Sequence, residues 1–247
     1  MSLNKYDAWG RVVYHIPDNS LVLDVGCSKG HVAKLLCEKN CDVTGIEINK
    51  NDAEFAKRYC SKVIVGDVET LDTLPFPVNY FDVILFGDIL EHLKNPEKTL
   101  KKFVLYLKNE GRIVASMPNV ANWAIRLNLL FGRFDYQKNG ILSKYHLRFF
   151  TLKTIKQIFN NAGLKIIEID VTPGLHLLTL YNALIGRLLS KIPGYDLFTY
   201  SLTKLFKTFF SQQFIVIAKK YNIEKMKSRN KRLVFTKSPK AISRRAR

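Results

Sequence analysis

Cysteine is scarce in this sequence, and its spacing excludes the common metal and redox motifs. The chain has four cysteines in 247 residues, and none forms a C-x-x-C pair. Cysteine and histidine also lack the local spacing of a zinc site, so we predict no bound metal. The four thiols are typical of small buried apolar side chains in a reducing compartment.

Long apolar segments are missing as well. The first seven residues contain no apolar core of a signal peptide. No run reaches the roughly 18 apolar residues that a membrane-spanning helix needs. We therefore expect a cytoplasmic protein, with peripheral contact at the inner face of a membrane as an open alternative.

Acidic residues are few, and the resulting positive charge is unevenly placed. The chain has 21 Asp and Glu against 39 Lys and Arg, a net charge of +18. Residues 221–247 hold ten Lys and Arg and the single acid Glu224, so this segment alone carries +9. We expect a domain at 1–220 and a basic, disordered tail at 221–247. Such charge favours polyanions, which include nucleic acid, anionic membranes and phosphorylated substrates.

Short apolar, β-branched runs alternate with helical patterns along most of the chain. This alternation predicts an α/β fold with a doubly wound, mostly parallel sheet of seven strands, the last one antiparallel. The predicted strands are Leu21–Val25, Asp42–Ile48, Lys62–Val65, Tyr80–Phe86, Arg112–Met117, Leu164–Val171 and Gln212–Ala218. The predicted helices are Gly30–Lys39, Asn51–Tyr59, Asn95–Leu107 and Thr151–Ala162.

One segment interrupts the alternation before the last strand. Residues 174–210 show two amphipathic helical faces, separated by Pro193-Gly194. This insertion is suited to covering the sheet, to forming a dimer contact or to lying on a membrane surface. The sequence leaves these three alternatives open, and with them the oligomeric state.

The loop Asp24-Val25-Gly26-Cys27-Ser28-Lys29-Gly30 follows the first strand and indicates the cofactor. An acid two residues before the first glycine repels a pyrophosphate but attracts an ammonium group, which S-adenosylmethionine (SAM) carries. Glu47 closes the second strand and Asp67 follows the third, where they can accept the ribose hydroxyls and the adenine amino group. The predicted cofactor-binding residues are Asp24, Gly26, Cys27, Gly30, Glu47, Ile48, Asp67, Val68 and Asp88.

Three stretches give the chain a family resemblance. They are Val22–Cys27, Phe81–Leu93, and Asn119–Trp123 together with His146–Thr151. Residues 21 to about 170 resemble class I SAM-dependent methyltransferases, and more narrowly the methyltransferase-23-like group often attached to glycan and cell-envelope biosynthesis. Two positions depart from that pattern: Ser28 replaces a common glycine, and Asn122 replaces a common histidine, so Asn122 is not assigned as a base.

Three side chains are candidates for the catalytic chemistry. Methyl transfer to a hydroxyl requires alignment of the nucleophile and removal of its proton. His146 is the first candidate for the base, because Lys144 and Arg148 beside it disfavour its protonated form. His92 and Glu91 are the second. The alternative roles are a hydrogen-bonding brace for His146 and a helix cap for the other two.

Cations and aromatic side chains between Asn119 and Phe150 are candidates for substrate contacts. Arg126 and Arg148 can hold a phosphate or a sugar acid, and Trp123 and Tyr145 can stack on a sugar ring. The alternatives are a solvated basic face and ordinary packing.

The resemblance implies O-methylation of a sugar hydroxyl, on a glycan or on its activated or lipid-linked precursor, with S-adenosylhomocysteine as product. A quinone-like or lipid-like acceptor and RNA are alternatives. RNA is disfavoured, because Gly87-Asp88-Ile89-Leu90 stands where methylases of base amino groups carry [N/D]-P-P-[Y/F]. A non-catalytic SAM-binding protein is a further alternative.

Overall fold

Seven strands form one sheet in the computed structural model, which describes residues 5–174 and 192–221. The strands are β1 Leu21–Val25, β2 Asp42–Glu47, β3 Lys62–Val65, β4 Phe81–Gly87, β5 Leu107–Pro118, β6 Leu164–Pro173 and β7 Ser211–Lys220. Their order is β3-β2-β1-β4-β5-β7-β6. The first five strands are parallel, whereas β7 runs antiparallel to both β5 and β6. The predicted seven-stranded, mostly parallel α/β fold is confirmed.

Helices cover both faces of this sheet. They are α1 Ala8–Tyr14, α2 His31–Cys37, α3 Lys50–Ala56, α4 Pro96–Val104, α5 Trp123–Leu130, α6 Leu152–Asn161, α7 Tyr195–Leu205 and α8 Lys207–Phe210, with a 3₁₀ turn at Leu90–His92. One buried core contains Leu100 and Phe159 from α4 and α6, and the other contains Val12 and Leu36 from α1 and α2. The sequence analysis did not predict α1 or α5.

The boundary between α4 and β5 was predicted wrongly. The helix ends at Val104 and β5 begins at Leu107, which pairs with Phe81, so the strand starts before Arg112. Gly111, one residue before the predicted start of the strand, therefore lies inside it. A Cβ at Gly111 would approach the carbonyl oxygen of Asp82 to 2.8 Å, so the strand requires glycine at this close approach.

A buried acid on β6 links two helices to the sheet. Asp170 accepts hydrogen bonds from Arg11, from His15 Nε2 at 2.8 Å and from the hydroxyl of Tyr200 at 2.7 Å. Burial acts to raise the pKa of Asp170, but the hydrogen bonds from His15, Tyr200 and Arg11 outweigh it and lower that pKa. The charged group thereby fixes α1 and α7 against β6.

The predicted insertion at 174–210 is described only in its second half. There α7 turns Thr199 and Thr203 inward, whereas Leu197, Phe198 and Leu205 are exposed. The first amphipathic face, at 175–191, and tail residues 222–247 lie outside the described residues. Within the described ranges no helix has the length and apolar character to cross a bilayer.

Candidate active site

The loop after β1 is shaped by residues with positive φ. Gly26, Ser28 and Gly30 have φ values of +82°, +47° and +77°. A Cβ on Gly26 would stand 2.1 Å from Cδ1 of Ile89, so only glycine fits there without displacing that side chain. The backbone of this loop therefore lies close against the segment that follows β4.

Glu47, the last residue of β2, fastens this loop to the next strand end. Its two carboxylate oxygens accept hydrogen bonds from the backbone N–H groups of Ser28 and Asn49, both at 2.8 Å. Each oxygen keeps a further lone pair. The position therefore leaves Glu47 able to accept ribose hydroxyls, as the sequence predicts.

A cavity of about 360 Å³ opens at the carboxyl ends of β1 to β4, within the range of about 300–1,000 Å³ usual for small-molecule sites. Six of the nine predicted cofactor residues line it: Gly26, Glu47, Ile48, Asp67, Val68 and Asp88. Ile48 is 65% exposed and can lie against a planar ring. Asp67 accepts a hydrogen bond from the backbone of Glu69 through one carboxylate oxygen, Oδ1, at 2.8 Å.

The remaining three predicted cofactor residues, Asp24, Cys27 and Gly30, are not part of that lining. Burial, and then the nearby charge of Glu47, raise the pKa of Asp24 to about 7. The thiol of Cys27 is buried next to Gly45 and Cys60, and a hydrogen bond with Cys60 together with burial raises its pKa. Cys27 therefore packs beneath the loop. Gly30 forms the second glycine turn of the loop, after the one at Gly26.

Asp88 is held at the end of β4 by two residues that the sequence analysis missed. Its Oδ1 accepts hydrogen bonds from Ser116 Oγ at 2.7 Å and from Gln213 Nε2 at 2.8 Å. Burial raises its pKa, although both hydrogen bonds act in the opposite direction. Ser116 and Gln213 come close only because β7 returns antiparallel to β5, where Ser116 pairs with Ile215 and Gln213 with Pro118. No local motif marks them.

A second cavity, of about 150 Å³, adjoins the first and shares Asp88 and His92 with it. The three predicted catalytic residues all line this cavity: Glu91, His92 and His146. The chain segment that carries His146 is fixed there, because the backbone N–H groups of Leu147 and Arg148 donate to the carbonyl oxygen of Glu91 at 2.8 and 3.0 Å. The structure thus joins residues from two distant parts of the sequence.

These three side chains have unusual surroundings. Glu91 is 1% exposed, and neither of its carboxylate oxygens has a hydrogen-bond partner among the described residues. Burial, with the charge of Asp88, raises its pKa well above the ordinary value. Burial also lowers the pKa of His146, helped by His92, whose ring packs edge-on at 4.9 Å. Asn95, and not Glu91, caps α4.

Neither cavity includes the four predicted substrate residues in its lining. The indole of Trp123 donates to the carbonyl of Gly174 at 3.4 Å, and Arg126 donates to Ala121 at 2.6 Å. Arg148 donates to the carbonyl of Lys94. Tyr145 is 58% exposed beneath the ammonium group of Lys144. In this conformation three of the four stabilise backbone turns, and their contacts with a substrate stay predictions.

A larger groove, of about 950 Å³, lies between α6 and β6 and contains none of the predicted site residues. It is lined by surface lysines, among them Lys153, Lys156 and Lys165. Parallel sheets instead bind their ligands at the carboxyl ends of the strands. We therefore place the candidate active site in the two adjoining cavities.

Comparisons with known proteins concern the family and the fold of the chain. A family model described as "Methyltransferase domain" matches residues 9–169. An uncharacterized protein of Methanocaldococcus jannaschii is 27% identical over an alignment of 169 residues, and the match covers 62% of this chain and 64% of the relative. The chain thus spans slightly under two thirds of that relative's length.

Two further proteins are also similar to this chain. A protein of Coxiella burnetii named ubiquinone biosynthesis O-methyltransferase is 25% identical over 166 residues, 65% of this chain and 69% of the relative. The crystal structure of a SAM-dependent methyltransferase from Archaeoglobus fulgidus superimposes with a TM-score of 0.59 at 21% identity, covering 85% of this chain and 90% of that one. At that identity the superposition concerns the fold alone.

Proposed function

Because the chain belongs to the methyltransferase-domain family and is a SAM-dependent methyltransferase, we propose that it methylates a hydroxyl group. The proposed acceptor is a sugar hydroxyl on a glycan or on its activated or lipid-linked precursor. The observation that carries O-methylation is the group of proton acceptors, Glu91, His92 and His146, beside the cofactor cavity.

The residues at the strand ends fit the cofactor. Gly26 lets Ile89 pack directly against the loop, where a Cβ would collide with it, and both residues line the cavity along which Glu47 and Asp67 place acceptors. When bound, SAM supplies an activated methyl group on a sulfonium, and the second product is S-adenosylhomocysteine. The chain's own contribution is to hold the acceptor hydroxyl in line and to remove its proton.

His146 is suited to that proton transfer by its hydrogen bonding. Its Nδ1 lies 3.0 Å from the carbonyl oxygen of Ile141, and a carbonyl can only accept, so Nδ1 carries the hydrogen. Nε2 then has a free lone pair for the acceptor's proton. Asp88, held by Ser116 and Gln213 at the boundary of both cavities, is placed to orient the reacting groups.

A quinone-like acceptor is the second candidate, and the Coxiella burnetii relative favours it. That relative is named as an O-methyltransferase of ubiquinone biosynthesis. A lipid-linked sugar and a quinol precursor are both amphipathic molecules that carry a hydroxyl.

An apolar patch near α5 and α8 supports a lipid-linked or lipid-like acceptor. We define it by exposed side chains that end α5, Leu129, Leu130 and Phe131, and by Phe206 and Phe209 at α8. The guanidinium of Arg126 lies 5.7 Å from the ring of Phe209 and joins the two parts. Apolar side chains with cations at their edge suit the surface of an anionic membrane.

The test is product detection with defined acceptors. The protein and SAM would be incubated with a lipid-linked sugar, a catechol-type quinol precursor, a primary amine and RNA, and the products identified by mass spectrometry. We expect a methyl ether on the sugar. Methylation of the quinol alone would establish the second candidate, and methylation of the amine alone would refute O-methylation.

Two alternatives have their own controls. If RNA is the acceptor, deletion of 221–247 abolishes methylation of RNA because the basic segment supplies the affinity. If the chain binds SAM without catalysis, SAM raises the melting temperature but no acceptor gains a methyl group.

A further inference from the structure

The cluster of Glu91, His92 and His146 has the composition of a metal site. One ligand atom from each side chain lies within 4.8 Å of the ligand atoms of the other two. Three ligands on one ion, at the usual bond lengths of about 2.0–2.2 Å, are roughly 3–3.5 Å apart. Small side-chain rotations therefore suffice to bring the three donors onto a common ion.

Both imidazoles are already oriented in the manner of metal ligands. His92 Nδ1 lies 3.0 Å from the carbonyl oxygen of Tyr145, and His146 Nδ1 lies 3.0 Å from that of Ile141. Metal-binding histidines commonly donate one ring N–H to a backbone carbonyl, which fixes the tautomer and leaves the other nitrogen free to bind. Here the same arrangement leaves Nε2 of both rings unprotonated, with a lone pair that can bind a metal ion.

Glu91 provides the independent evidence that the cluster lacks a ligand. A carboxylate that is 1% exposed normally has hydrogen-bond or ionic partners. Both oxygens of Glu91 lack one among the described residues, and the side chain lines the second cavity together with both histidines. A cation placed between the three groups would satisfy them together.

We propose that Glu91, His92 and His146 bind a divalent first-row transition ion such as Zn²⁺, Mn²⁺ or Fe²⁺, with open positions towards the second cavity. Two imidazoles and one carboxylate suit these ions better than Mg²⁺ or Ca²⁺, which prefer oxygen ligands throughout. With three protein ligands the ion keeps positions for water or substrate, as catalytic metal sites do.

The consequence for the reaction rests on the O-methylation proposed above. An acceptor hydroxyl bound to the ion becomes more acidic and is held in one orientation. The ion lies at the boundary of the two cavities, where Asp88 and His92 belong to both linings. The hydroxyl would then face the cofactor. In this arrangement Nε2 of His146 binds the ion, so this role replaces the direct proton transfer to His146 described above. The hydroxyl proton then leaves to solvent or to the neighbouring Asp88.

The experiment measures binding of Co²⁺ to the metal-free full-length chain, because Co²⁺ gives visible absorption bands that report its ligands. We expect one equivalent bound with a nitrogen and oxygen spectrum. The described cysteines are free thiols, so a sulfur-to-cobalt charge-transfer band would reveal binding at thiolates instead and would overturn the proposal.

Matched variants locate the ion. Glu91→Gln and His146→Ala should weaken Co²⁺ binding at least tenfold, whereas Glu97→Gln, a half-buried glutamate on α4, and His31→Ala, an exposed histidine on α2, should leave it unchanged. Circular dichroism and SAM binding establish that each variant is folded. Equal Co²⁺ affinity in all four variants would overturn the site.

The catalytic role is tested separately by removing metal from the wild-type chain. Loss of methylation on chelation, and recovery on adding Zn²⁺ or Mn²⁺, is the expected result. Full methylation without metal would refute the catalytic role. Because Co²⁺ binding is measured without an acceptor, failure to find a methylated hydroxyl would count against the proposed function and not against the metal site.

Discussion

The cofactor side and the acceptor side of this site are built in different ways. On the cofactor side Gly26, Glu47 and Asp67 each stand at or directly after the end of a parallel strand. On the acceptor side Glu91 and His92 meet His146, which arrives from a separate loop held by hydrogen bonds to the Glu91 carbonyl. The sheet itself positions the residues of the cofactor side, whereas the acceptor side depends on a loop outside the sheet.

This difference indicates that binding of SAM and choice of acceptor can change independently. The sheet positions its strand ends whatever the loops contain. The acceptor side instead relies on residues 119–150 and on the elements after β6. Variants on the acceptor side should therefore alter turnover, and variants on the cofactor side should alter SAM affinity.

The largest expected effect is on the acceptor side. His146→Ala should lower kcat by about 10²–10⁴-fold, because the hydroxyl loses the group that accepts its proton or holds the ion beside it. The Kd for SAM, measured by calorimetry, should stay within about twofold. Loss of SAM affinity in proportion to the loss of turnover would contradict the assignment of His146 to the acceptor side.

On the cofactor side Gly26→Ala should weaken SAM binding by about a hundredfold. The added Cβ collides with Ile89, which lines the cofactor cavity, and alanine is strained at a φ of +82°. SAM affinity is measured by calorimetry. The control is Gly132→Ala, where φ is +70° but a Cβ meets no atom within 4 Å.

The double variant Gly26→Ala/Ile89→Ala separates collision from strain. Partial recovery of SAM affinity would assign the loss to the collision. An unchanged affinity in Gly26→Ala itself would show that the loop is not part of the cofactor site.

The sequence predicted much of the cofactor side of the site, because the features that form it are close together in the chain. A strand, a glycine turn and an acid lie within a few residues of each other, so their spacing predicts the strand ends and the cofactor loop. The sequence also named Glu91, His92 and His146. It did not predict that they share one cavity, because that depends on the backbone of 147–148 binding Glu91.

Other features had no local signal at all. Ser116 and Gln213 reach Asp88 only through the pairing of β5 with β7. Arg11 binds Asp170, although the two residues are 159 positions apart in the sequence. We predicted no bound metal, because the donors of the proposed metal site lack the short spacing of known motifs. The start of β5 was predicted too late, because a glycine such as Gly111 is typical both of a helix end and of a close backbone approach within a strand.

The third prediction concerns pH on the cofactor side. The pKa of Asp24 is about 7 because of burial and of Glu47, and a bound ammonium group would lower it. SAM binding then releases a proton, so its affinity should fall as the pH drops below about 7, by up to about tenfold per pH unit. Titrations between pH 5.5 and 8.5, chosen to span about one unit either side of that pKa, measure this. In Asp24→Asn the affinity should be lower above pH 7, and its fall below pH 7 should be much smaller than in the wild-type chain.

The smallest effect should come from the apolar patch. Leu130→Ser removes a side chain that is 78% exposed at the end of α5, and we expect it to reduce binding to anionic vesicles by a few-fold. Leu105→Ser is the matched control, because Leu105 is 58% exposed beyond α4 and outside the patch. Activity on a water-soluble acceptor should be the same in both variants, since neither residue lines a cavity. Equal vesicle binding by the two variants would show that the patch does not contact the membrane. The acceptor would then have to enter the second cavity from solution.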